Sequence, residues 1–181
     1  MRKKTQNLNK TNLKKLNTIA HLKSFPSRIK SISSEYQDLN IFIKDFEKFI
    51  STELKIPAKE LSLQDKIFEG IINRLDFLND YKNITLRIYL ESQKKPKYFL
   101  NLSKNINNYF NLFLNSNVEK IISNMIYLYA FNVWIEDNNS MDKTMASIGH
   151  AFDNINKLKS LISKRRLIIL TLKKLILELV L

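Results

Sequence analysis

The sequence predicts an all-α protein. Glycine and proline, on which β folds depend for their turns, account for only two and three of the 181 residues. Apolar side chains recur three or four positions apart along most of the chain, which is the spacing of a buried helix face. Because a chain of this length can bury one core, we expect a bundle of about six helices joined by short polar loops.

Charge is distributed unevenly along the chain, whose net charge is +13. Residues 1–30 contain nine Lys or Arg and no acid, and residues 157–181 contain seven Lys or Arg and one acid. Residues 31–156 are close to neutral, with fourteen bases and sixteen acids. Two basic ends suit contact with an anionic surface, either nucleic acid or lipid head groups, although solvated tails give the same pattern.

The residues that most catalytic centres need are scarce. The chain has no cysteine, which excludes disulfides, thiolate metal sites and a cysteine nucleophile. Its two histidines, His21 and His150, are far apart in sequence, and its two glycines, Gly70 and Gly149, cannot form a glycine-rich phosphate loop. The composition therefore favours binding over catalysis and predicts neither a metal nor a catalytic cofactor.

The first helices are marked by apolar stripes and by residues that stop or start them. Residues 1–24 are polar and basic and predict at most one or two marginal helices. Pro57 ends the following helical region, since proline cannot continue a helix interior. Ser62 and Asp65 have the spacing of a capping box, which predicts a helix start. The stripe before Pro57 consists of Leu39, Phe42, Ile43, Phe46, Phe49 and Ile50. The stripe after Ser62 consists of Ile67, Phe68, Ile71, Ile72, Leu75 and Leu78.

Two further helices are predicted before residue 115. Asp80 and Asn83 predict a break, and the run "LRIYLES" continues a helical piece that Pro96 then interrupts. Residues 98–114 carry more aromatic side chains than one stripe needs. These aromatic side chains either fill the core, which is the commoner case, or line a cavity.

A helix over 118–134 and another over 141–156 flank an acidic loop. Glu136 and Asp137 could form a general-base pair, but without a histidine, lysine or metal ligand nearby we interpret them as loop acids. Trp134, the only tryptophan, is either a core residue or an anchor for a partner, because tryptophan is enriched at binding hot spots.

Residues 158–181 predict a basic amphipathic C-terminal helix. This helix could pack on the body, pair with a partner helix, or lie in a membrane interface; leucines on its polar side favour the membrane over a partner helix. Its predicted membrane-binding residues are Lys164, Arg165, Arg166, Ile168, Ile169, Leu172, Lys173, Lys174, Leu175, Ile176 and Leu179. We find no signal peptide and no window of about 18–20 uninterrupted apolar residues, so we expect a cytoplasmic protein, peripheral on the inner face of the membrane.

Two motifs resemble one superfamily. The stretch "SFPSRIKSI", residues 24–32, is similar to the start of the fourth helix of TetR-type regulators. The stretch "VWIEDNNSMDKTMASI", residues 133–148, resembles a run in a TetR-like branch, the ubiquinone (coenzyme Q) biosynthesis accessory family known as the ninth coenzyme Q protein. The resemblance implies a TetR-like helical bundle of the ligand-binding and dimerisation type over residues 25–157, between a basic segment at 1–24 and the helix at 158–181.

The resemblance also implies a function. A member of this family is a non-enzymatic protein that holds an isoprenoid lipid, here an isoprenoid quinone or a phospholipid, and presents it to a ubiquinone-pathway hydroxylase. It would form a homodimer through the helices at 118–134 and 141–156. The expected partner-binding residues are Trp134, Ile135, Asp137, Met141 and Thr144. The expected lipid-lining residues are Ile72, Leu75, Phe99, Leu102, Ile106, Tyr109, Phe110, Met125 and Tyr129.

Two alternative functions fit the same pattern. A TetR-like transcriptional regulator would share the fold and bind DNA as a dimer. Residues 1–24 are too short for the three helices of a complete TetR-type reading head, so the helix-turn-helix is truncated and sequence-specific DNA binding is not expected. The other alternative is a membrane-surface scaffold without a ligand.

Overall fold

The computed structural model describes residues 8, 10–21, 38–157 and 160, and within these residues the protein is all-α, with no strand. This confirms the prediction that the protein is all-α. The motif at residues 24–32 and the amphipathic helix predicted at 158–181 lie outside the described residues, apart from position 160. The helices are α1 (Lys10–Ile19), α2 (Leu39–Glu53), α3 (Leu63–Asn79), α4 (Lys82–Lys94), α5 (Pro96–Phe110), α6 (Asn117–Glu136) and α7 (142–157).

Polar caps set the starts of three helices. Asp38 caps α2 by accepting a hydrogen bond from the Asn40 N–H at 3.2 Å. Ser62 caps α3 as predicted, since its hydroxyl accepts from the Asp65 N–H at 3.2 Å. At the start of α6, Ser116 and Glu119 form a reciprocal capping box. Each cap satisfies backbone N–H groups that a helix leaves unpaired in its first turn.

The breaks between helices lie close to their predicted positions. The break between α3 and α4 falls at residues 80–81, so Asn83 lies inside α4 and not in the break. Pro96 is the first residue of α5, where its missing N–H costs no hydrogen bond. Proline therefore separates α4 from α5 by starting the second helix.

The α1 helix is docked on the body and is more than a marginal helix. Its Leu13 and Leu16 are buried. The Asn17 side chain accepts from the Ile84 N–H at 3.1 Å and donates to the Asp80 carbonyl at 3.2 Å. The α4 helix has no side-chain cap of its own. Asn17 supplies one from a different helix by pairing an N–H group of the first turn.

The core lies where α5 packs against α2, α4 and α6, and α3 packs against α6. A run of aromatic rings crosses this core with successive ring centroids 5.4 to 6.1 Å apart. The run consists of Tyr109, Phe110, Tyr127, Phe131 and Trp134. Of the aromatic side chains at 98–114, Tyr109 and Phe110 therefore fill the core, whereas Tyr98 and Phe113 are partly buried against it.

Candidate functional site

A small cavity lies among α2, α3, α4, α5 and α6 and has a volume of about 40 Å³. Its lining is apolar apart from six polar or charged side chains, Glu47, Arg74, Thr85, Tyr89, Ser103 and Tyr127. The remaining lining residues are Phe46, Leu78, Ile88, Phe99, Leu102, Ile106, Leu128 and Phe131. Phe99 and Leu128 are each 45% exposed, so they stand where the cavity meets the surface.

An arginine is buried in the wall of this cavity. Arg74 is 1% exposed, and its Nη2 donates to the Glu47 carboxylate at 2.7 Å. Its Nε donates to the Tyr127 hydroxyl at 3.1 Å. The guanidinium carbon lies 5.6 Å and 5.5 Å from the ring centroids of Tyr109 and Tyr127, which is cation–π distance. The remaining nitrogen, Nη1, is buried and has no hydrogen-bond partner among the described residues.

These contacts fix the protonation of the site. Burial by itself lowers the pKa of Arg74. The Glu47 carboxylate and Tyr127 raise this pKa by more than burial lowers it, so the pKa lies above the ordinary value. Burial raises the pKa of Tyr127 and that of Tyr109. The arginine is therefore a permanent cation, and both phenols stay protonated at physiological pH.

Arg74 and Glu47 are not among the predicted site residues, although the sequence contains a signal for both. Arg74 stands in register with the apolar stripe of α3, three residues after Ile71 and four before Leu78. Glu47 stands four residues after Ile43 in the stripe of α2. A charged residue at a core position of a helix is unusual and indicates a buried partner.

The structure divides the predicted lipid-lining residues into three groups. Phe99, Leu102 and Ile106 line the cavity. Leu75, Tyr109 and Phe110 are buried in the core away from the cavity lining, and Ile72 is half-buried. Met125 and Tyr129 are 62% and 49% exposed, because the neighbouring Ile126, Tyr127 and Ala130 form the buried face of α6.

The residues predicted to bind a partner close the corner between α6 and α7. Trp134 is fully buried, and its Nε1 donates to the Asn79 side-chain oxygen at 2.8 Å. Lys82 Nζ lies 4.9 Å above the Trp134 ring and donates to the backbone carbonyls of Trp134 and Asp137, each at 3.0 Å. Lys82 therefore neutralises the negative end of α6.

Asp137 is the acceptor that holds the start of α7. Its carboxylate accepts from the Thr144 N–H at 2.7 Å and from the Thr144 hydroxyl at 2.8 Å. Burial alone would raise the pKa of Asp137, but the hydrogen bonds from Thr144 and Asn138 outweigh it, so the pKa is lowered. Asp137 therefore lies in the loop between α6 and α7, as we interpreted it, with its carboxylate bound to the start of α7, whereas Glu136 is the last residue of α6.

Four of the five predicted partner-binding residues are enclosed by their own chain. Trp134, Asp137, Met141 and Thr144 are buried, and Ile135 is half-buried. A partner could not reach the four buried side chains without opening the corner between α6 and α7. The contacts of these four side chains account for their burial by packing within the chain.

None of the described helices has the length and apolar character needed to cross a membrane. The described residues contain no group of three or more His, Asp or Glu that could hold a metal ion. The predicted membrane-binding residues, Lys164 to Leu179, lie outside the described part of the chain. Comparison of the chain with protein-family models, with curated proteins and with solved structures found no match.

Proposed function

We propose that this protein is a non-enzymatic binding protein that holds an apolar ligand of the isoprenoid-lipid class in the cavity beside α5. The observation that carries the proposal is the buried Arg74, with one unpaired nitrogen, in an otherwise largely apolar cavity wall. Ligand sites commonly combine an apolar lining with a few placed polar groups. A core built only for stability rarely retains a buried charged donor without a partner.

The cavity must widen to accept such a ligand. Its volume of about 40 Å³ suits a few water molecules. Pockets for drug-sized ligands are larger, on the order of 300 to 1,000 Å³. Phe99 and Leu128, half-exposed at the rim, are the side chains whose rotation would open the cavity to solvent.

The wider biological setting of the proposal rests on the resemblance of the sequence motifs. It comprises a TetR-like architecture for residues 25–157, a ubiquinone-pathway hydroxylase as the recipient of the lipid, and an anionic membrane as the place of transfer. The uneven charge supports the membrane, because both basic ends flank a near-neutral domain. The buried contacts of Trp134 argue for a recipient surface elsewhere on the molecule.

The test is the lipid content of the purified protein, measured by mass spectrometry of an organic extract, with and without prior incubation with a short-chain ubiquinone. Leu102→Trp places an indole in the cavity and should remove the bound lipid. Leu100→Trp is the matched control, because Leu100 lies on the same helix and is 67% exposed. Equal lipid content in the two variants, or no lipid in the wild-type protein after incubation, would overturn the proposal.

A DNA-binding regulator predicts a different result. Affinity for one operator that exceeds the affinity for random duplex DNA by about 10³ or more would support that alternative.

A further inference from the structure

The hydrogen bonds of Arg74 are incomplete in a specific way. A guanidinium has five N–H donors on three nitrogens. Nε is used by Tyr127 and Nη2 by Glu47, whereas Nη1 is buried and has no partner within the described part of the chain. Leaving a buried donor unpaired costs free energy. A ligand that supplies an acceptor to this nitrogen would remove that cost, and its binding would be tighter as a result.

Tyr127 offers a second donor beside the first. Its hydroxyl oxygen accepts from Arg74 Nε at 3.1 Å, which leaves its own proton free to point elsewhere. Among the described residues no hydrogen bond has Tyr127 as the donor. Arg74 and Tyr127 both line the cavity, and Arg74 Nη1 is itself buried, so the widening that admits a ligand would bring one acceptor atom to both donors.

The charge of the site limits what that acceptor can be. Glu47 already neutralises Arg74 at 2.7 Å, and Arg74 is the only basic side chain among the described lining residues. A carboxylate or phosphate head would therefore add an uncompensated negative charge close to the Glu47 carboxylate in a largely apolar site. Charges interact strongly where the dielectric constant is low, so an anionic head is disfavoured.

We infer that the ligand carries a neutral hydrogen-bond-accepting head, a ketone, quinone, ester or amide carbonyl, which Arg74 Nη1 and the Tyr127 hydroxyl bind while Glu47 rejects anions. This inference rests on the proposed function, since it assigns the polar end of the ligand held in the same cavity. The apolar remainder of the ligand would then contact Phe99, Leu102 and Ile106.

The experiment compares three probes of matched length, 2-octanone, octanoate and octane, by calorimetric titration of the full-length protein at pH 8. We expect 2-octanone to bind more tightly than either of the others, with a preference over octanoate on the order of tenfold or more. If none of the three probes binds, the proposed function fails and the inference with it. If octane or octanoate binds as well as 2-octanone, only the inference fails.

A charge variant tests the role of Glu47 directly. Glu47→Gln keeps the shape and a hydrogen-bond acceptor but leaves Arg74 as an uncompensated cation, so the preference should shift towards octanoate by about tenfold. Asp45→Asn is the matched control, since Asp45 lies on the same helix and outside the cavity lining. An unchanged ratio of the two dissociation constants in folded Glu47→Gln would overturn the inference.

Tyr127→Phe gives a second route if Glu47→Gln does not fold. It removes one of the two proposed donors and keeps the aromatic ring. We expect weaker binding of 2-octanone and unchanged binding of octane, and equal weakening of both would contradict a role for the hydroxyl.

Discussion

Gly70 has no room for a Cβ atom. A Cβ atom at this position would lie 2.5 Å from Cζ of Phe113, whose ring packs against Tyr109 and Phe110. The Gly70 carbonyl also accepts from the Tyr109 hydroxyl at 2.9 Å, so neither α3 nor α5 can easily shift away. We predict that Gly70→Ala lowers the free energy of unfolding by about 1–3 kcal/mol, as overpacking of a core does.

Gly149→Ala is the matched control for that prediction. Gly149 also lies in a helix, but a Cβ atom there meets nothing within 4 Å. Alanine should therefore be neutral or should stabilise the protein by up to about 1 kcal/mol, because alanine favours helix. Chemical denaturation of both variants measures the difference, and equal stability of the two would show that Phe113 moves aside at no cost.

Asp137 gives a prediction about acid stability. Its pKa in the folded protein lies below the ordinary value of 3.8, so its carboxylate contributes stability that is complete above about pH 4. That contribution is lost as the pH falls from there through the folded pKa. Asp137→Asn lacks the contribution, so its melting temperature should be lower than that of the wild type at pH 7 and should fall less steeply below pH 4.

Asp153→Asn serves as the comparison for the acid-stability measurement, since Asp153 lies on α7 and is exposed. We expect this variant to follow the wild-type curve of melting temperature against pH. Parallel curves for the wild type and Asp137→Asn would mean that the contacts with Thr144 contribute no pH-dependent stability.

At the scale of helices, α6 is apolar on two sides. Its inner face belongs to the core, and its outer face carries large exposed apolar side chains, Val118, Ile121, Met125 and Tyr129, while Leu128 lies between that face and the cavity mouth. The outer face of α7 is mostly polar, with Lys143, His150 and Asp153 exposed. An apolar stripe along one helix suits a two-fold contact with its own copy.

We therefore predict a homodimer that is centred on α6, with α7 contributing less than the sequence suggested. Ile121→Lys places a charge in the stripe and should shift the protein from dimer to monomer in light scattering at micromolar concentration. Leu100→Lys changes an exposed apolar side chain on α5, 67% exposed against 60% for Ile121, and should leave the mass unchanged. A monomeric wild-type protein would rule out this use of the stripe.

At the scale of the whole molecule, the basic ends predict binding to anionic membranes. Replacing Lys164, Arg165, Arg166, Lys173 and Lys174 by glutamine should sharply reduce sedimentation with anionic vesicles, since each base near such a surface contributes about 1 kcal/mol. The loss should be largest at low salt.

The control for the vesicle experiment removes the same number of charges from the body. The five lysines replaced in this control are exposed side chains among the described residues: Lys44, Lys48, Lys55, Lys59 and Lys104. Sedimentation of this variant should stay close to that of the wild type. If both variants lose binding equally, net charge decides the interaction and the C-terminal segment has no special role.

The sequence by itself determined the features that depend on neighbouring residues. The scarcity of glycine and proline and the apolar stripes predicted the helices, and the spacing of Ser62 and Asp65 predicted the cap of α3. Pro96 marked the boundary between α4 and α5. Caps and breaks act within one helical turn, so a short window of sequence contains all the residues involved.

Only the tertiary structure decided which faces are buried and which polar groups meet. Because α6 is apolar on two sides, its sequence did not show that Met125 and Tyr129 lie outside and Tyr127 inside. Arg74 contacts Glu47, which is 27 positions away in the sequence, and Tyr127, which is 53 positions away. No local sequence pattern spans those separations. The free energy of a buried charge depends on every group packed around it. The site therefore exists only once the helices have packed.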